Sequence, residues 1–225
     1  MTDIALNPTQ APKATRPVSR NDGFTVVGSD RSLGYNLPQE MGRKLWLPMF
    51  AMALMAWAVG FILAVVEAGT ARTASEDLQN LGHIVPGFMF IGFLSVFAAI
   101  TFAIARILGA FRKGGGEVQE TVGSEVQTLK MPGTAKLMMV FMMMGMMVMA
   151  AGIVVNFVAA GAFDGSIAAE ALDSARAAAG ATGLRRLGVA MYLTGIAFGL
   201  GTIVGVLRFQ AIRIRELAAS HGHRH

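Results

Sequence analysis

Four apolar stretches, at residues 45–66, 84–107, 137–160 and 187–207, run with no charge in their middle thirds. Each is long enough for a helix to cross a hydrocarbon layer of about 30 Å, which takes roughly 20 residues. Hydrocarbon offers no hydrogen-bond partner, so every backbone N–H and C=O must be satisfied within the segment, and a single segment achieves this as an α-helix. Composition agrees. Only 15% of the 225 residues are charged and 54% are hydrophobic, whereas a soluble domain carries charge on about a quarter of its residues. The sequence therefore predicts an all-α membrane protein with four transmembrane helices and short connections.

Lysine and arginine set the orientation. Fourteen of the 19 basic residues fall before the first stretch, between the second and third, or after the fourth, and Arg106, at the inner end of the second stretch, makes fifteen on that side. Four, Arg72, Arg176, Arg185 and Arg186, fall in the other two connections. Both termini and the middle link are expected in the cytoplasm, and the expected location is a bacterial inner (cytoplasmic) membrane. The isoelectric point near 10.1 follows from this bias and gives no argument for nucleic acid. The first apolar run starts at Leu45 and is too long for a signal-peptide core, so it reads as an uncleaved anchor. With no cysteine in the chain, disulfides, thiolate metal sites and thiol nucleophiles are excluded.

The chain divides into an N-terminal arm (1–43), a first hairpin (44–111), a linker (112–135), a second hairpin (136–215) and a His-rich tail (216–225). Residues 1–22 are polar and punctuated by Pro8, Pro12 and Pro17, a composition that favours disorder. A short extended piece at 24–27, a turn at 28–30 and an interfacial segment from Leu33 are expected next. In the linker, the glycines at 114–116 suggest a hinge. Val118, Val122, Val126 and Leu129 recur at helical spacing and suggest a brief amphipathic surface helix. The Ala-rich connection at 163–183 suggests a separate helix of two or three turns, capped at Asp164 or Ser166 and ending at Gly180 or Gly183. Asp173 and Arg176 are placed to pair on its solvated face.

The third stretch holds eight methionines between Met138 and Met149. Laid over the first with a shift of 92 positions, residues 44–69 match 136–161 at nine of 26 places, among them Lys44/Lys136, Met52/Met144, Gly60/Gly152 and Gly69/Gly161. "LQNLG" at 78–82 resembles "LRRLG" at 184–188. Two similar tandem hairpins are expected, each crossing twice in the same direction. Where one copy has Met138, Met139, Met142 and Met143, the other has Trp46, Leu47, Phe50 and Ala51. Positions filled by ordinary apolar residues in one copy point to adaptable packing in the other. A copper-handling thioether site is the weaker reading.

Small residues supply the candidate functional positions. Ala56, Gly60, Ala64 and Ala68 form one stripe, and Gly195 with Gly199 and Gly201 with Gly205 form two GxxxG pairs. Helices in lipid associate by close backbone approach, which such positions permit. Intramembrane ionisable residues, which mark ion and proton paths, are lacking from the middle of every stretch; Asn156 is the most polar residue within one. No P-loop, GxSxG or HExxH pattern occurs. The expectation is a non-catalytic accessory, assembly or scaffolding subunit of a larger inner-membrane complex, with no cofactor and no metal. Its partners would be the lipid bilayer and other membrane subunits or copies of itself. A small-solute channel or transporter component is the alternative.

Overall fold

The computed structural model describes residues 24, 26–29, 34–70, 75–123, 126–162 and 168–222. Among these the element order is β1 (Val26–Ser29), α1 (Leu37–Thr70), α2 (Ser75–Thr121), β2 (Val126–Leu129), α3 (Gly133–Ala162) and α4 (Ala168–Gly222). All four long helices are apolar and long enough to cross a membrane, and the chain is an all-α multi-pass membrane protein. α2 has 47 residues and α4 has 55. At a rise of 1.5 Å per residue they reach about 70 and 80 Å, more than twice the hydrocarbon thickness, and so project beyond it. Hydroxyls inside the spans turn back on their own helix: Ser95 donates to the Ile91 carbonyl at 2.8 Å, Thr194 to that of Ala190 at 2.9 Å and Thr202 to that of Phe198 at 2.9 Å. This hides a polar group within its own helix, and Thr202 also reaches the Thr134 hydroxyl of α3 at 2.9 Å.

α1 packs against α2, and α3 against α4. The two pairs meet through α2, which touches both α3 and α4. The buried core gathers around Phe97, Ile104, Met138, Met142, Met149 and Tyr192, with the Phe97 and Tyr192 rings stacked 4.7 Å apart. α1 stands outboard. Its buried residues are Gly42, Ala53, Ala56 and Gly60, all small, while Phe50, Leu54, Met55, Phe61, Ile62 and Val65 are exposed. Those side chains are what lipid would meet.

Four local expectations give way. The linker does not form a separate helix: α2 continues to Thr121, and Val126–Leu129 is a strand pairing antiparallel with β1, Val26 opposite Leu129 and Ser29 opposite Val126. Strand pairing, with Val126 and Thr128 buried on alternate positions, overrides the helical spacing of the valines. The glycines at 114–116 are not a hinge but lie inside α2, where a Cβ on Gly115 would collide with the Gln210 side chain of α4. The expected turn at 28–30 is strand through Ser29. The connection before the fourth span is no separate short helix. α4 runs unbroken from Ala168 through Gly180 and Gly183, with Asp173 and Arg176 paired at 3.1 Å. The tail is also helical as far as Gly222. The expectations for 1–22, Leu33, Asp164 and Ser166 lie outside the described residues.

Candidate functional site: helix faces and a methionine-lined cavity

The predicted small-residue positions separate into two groups. Ala56 and Gly60 are buried, and a Cβ on Gly60 would meet Met89 of α2 at 3.3 Å. Gly195 and Gly199 are filled by Met142 and Met138 of α3, with Ile104 of α2 also against Gly199. These four build the bundle. Ala64 is half-buried and Ala68 exposed. Gly201 and Gly205 have nothing within 4 Å of where a Cβ would stand. With the exposed Thr194 and Ala197 they line a shallow outward face of α4, at spacings that return to the same side of a helix.

The methionines of α3 take two roles. Met149 lies in the notch at Gly188, Met142 at Gly195 and Met138 at Gly199. Unbranched thioether side chains enter such notches where branched ones would not. Met142 also accepts a hydrogen bond from the Thr101 hydroxyl at 3.0 Å. The second role is to line a cavity of about 750 Å³ between the start of α1 and the first half of α3, with walls from α2 and α4 and a roof from β2 and the residues after it. Met41, Met131 and five methionines of α3 face it. Its polar rim is Asn36, Gln39, Arg112, Lys130 and Gln210, and no carboxylate among the described residues lines it.

The rim is held in place by the side of the molecule where the N-terminal arm, the linker and the end of α4 converge. Phe24 meets Phe209 edge-on at 5.8 Å. The Gln119 side chain accepts from the Gln127 backbone N–H at 2.7 Å and donates to its carbonyl at 3.2 Å, covering the free edge of β2. Gln210 donates to the Phe111 carbonyl at 3.2 Å. Arg43 and Lys113 both face the Tyr35 ring, at 5.0 and 5.6 Å.

Buried polar side chains sit inside the opposite end of the bundle, among them one that sequence reading placed in a connection. Arg185, counted there as a loop cation, is 6% exposed. Its guanidinium lies 4.5 Å from the Phe90 centroid and donates to the Thr182 hydroxyl at 2.8 Å, while Nε and Nη1 have no partner. His83, Asn156 and Tyr192 are also buried, and the Asn156 amide nitrogen and the Tyr192 hydroxyl are unpaired. The unpaired atoms of Arg185 and Asn156 are donors and suit hydrogen-bond acceptors, while the Tyr192 hydroxyl belongs to a ring stacked on Phe97 in the core. No family model matches the chain, and comparison with curated proteins and with solved structures finds no similar protein.

Proposed function

We propose that this chain is a non-catalytic multi-pass subunit of the inner membrane that works by lateral helix contact, with another membrane protein or with a second copy of itself. The observation that carries the reading is the open face at Gly201 and Gly205, beside glycines of the same helix that are already filled. In lipid an unfilled small-residue face is where a second backbone can come close. On this reading both termini are cytoplasmic, as the basic residues favour.

The reading also takes the two hairpins as copies, and the helix contacts favour a particular register. A shift of 92 carries Trp57 to Met149 and Gly60 to Gly152. Trp57 lies on Gly92 and Met149 on Gly188; Met89 faces Gly60 and Arg185 faces Gly152. Position 92 then corresponds to 188 and 89 to 185. This second shift, of 96, also lays Ile100 on Ile196, Phe102 on Phe198, Gly109 on Gly205 and Arg112 on Arg208. It replaces the alignment of LQNLG with LRRLG.

Gly201→Leu with Gly205→Leu should abolish association, seen as a shift to the monomer on native sizing after gentle detergent extraction, with the melting temperature retained. A wild-type chain that is monomeric and partner-free in lipid nanodiscs would exclude the subunit role.

A further inference from the structure

We infer that the methionine-lined cavity is a binding site for one anionic glycerophospholipid, with its phosphate at Arg112 and Lys130 and an acyl chain along the methionines of α3. The cavity is divided as such a molecule is. Along the chain that enters α3, the cation Lys130 comes before the exposed Lys136 at the start of the third apolar stretch, and the lining residues Met138, Met139, Met142, Met143 and Met146 come after it. Headgroup and acyl chain meet at that level of a bilayer. The rim is electrostatically one-sided: its only charges are the two cations, and neither forms a salt bridge among the described residues, whereas the neighbouring Lys113 is paired with Glu117 at 3.4 Å.

The lining is adapted to an acyl chain. Thioether side chains follow the shape of a flexible apolar partner better than branched ones do. Met139, Met143 and Met146 are exposed as well as lining the cavity, so it opens sideways where lipid tails lie, and a ligand need not cross water to enter. A volume of about 750 Å³ is in the ordinary range for small-molecule sites. Part of a phospholipid is thereby enclosed, and the remainder extends into the bilayer.

The test uses the full-length chain in nanodiscs of equal phosphatidylglycerol and phosphatidylcholine, followed by native mass spectrometry of the lipid that stays bound. One retained phosphatidylglycerol per chain is expected, undisplaced by millimolar inorganic phosphate. Arg112→Gln with Lys130→Gln should lower its preference over phosphatidylcholine about thirtyfold, the equivalent of about 1 kcal/mol for each cation removed. Ala105→Trp fills the cavity and keeps both charges, and should also release the lipid while circular dichroism stays helical. Retention unchanged by Ala105→Trp would place the lipid on the outer surface and overturn the assignment. So would equal retention of the two lipids by the wild type, displacement by phosphate, or lipid that binds only after residues 1–23 are deleted, which would make the arm the occupant.

Discussion

Arg185 and Arg186 are adjacent in sequence and opposite in environment: one is buried and the other exposed. The buried positions of α4 run Ala181, Arg185, Gly188, Tyr192, Gly195, Gly199, Thr202, alternating steps of three and four that mark one helix face. Of that face the small residues Gly195 and Gly199 were marked in the sequence, without a sign that they and not Gly201 and Gly205 face inward. The arginine was misplaced because charge was taken to mean solvent. The energetics at this position oppose the charge. A desolvated cation–π contact is worth about 2 kcal/mol and a charged hydrogen bond about 1.5–3. Burial of an uncompensated ion costs several kcal/mol, and each unpaired donor about 1–3 more. Arg185→Met keeps the stem that packs on Gly152 and removes the charge, and is expected to stabilise the chain by about 1–4 kcal/mol in reversible unfolding in mixed micelles. Destabilisation would mean that the guanidinium is already compensated.

At the scale of elements, the four spans were readable from the sequence because their cause is local: an apolar run of sufficient length needs no information from elsewhere. β2 was not readable, because its partner β1 lies some hundred residues earlier and its other edge is covered by a side chain, Gln119. Locally, Val118, Val122 and Val126 fit a helix well. The glycines at 114–116 were misread for a related reason. Gly115 admits Gln210 from a helix that the local sequence does not mention. The filled and open glycines of α4 also have identical spacing, so which pair builds the bundle could be learned only from the neighbouring helices. Gln119→Leu tests how far β2 depends on its one side-chain clamp. It leaves the N–H and C=O of Gln127 without those partners, a loss of about 1–3 kcal/mol. Hydrogen exchange at Val126–Leu129 should accelerate while the amides of α2 and α3 stay protected. Unchanged exchange would show that pairing with β1 suffices.

For the whole molecule, the contacts fix which parts share a side, and the charges favour which compartment that side faces. Pairing of β1 with β2, and of Phe24 with Phe209, gathers the N-terminal arm, the linker and the end of α4 at one end of the bundle. The start of α4 and the end of α1 lie at the other, as an even number of crossings requires. Fifteen basic residues toward the first side against four toward the second, one of them the buried Arg185, favour the cytoplasm for the first. Since the chain has no cysteine of its own, single cysteines report without background. Thr121→Cys, Ala218→Cys and Ala175→Cys each replace an exposed residue. With a membrane-impermeant maleimide on intact cells, Ala175→Cys should react and the other two only after lysis. The reverse pattern would invert the orientation and leave the fold standing. Different behaviour of positions 121 and 218 would contradict the fold itself, because the linker and the end of α4 could not then share a side.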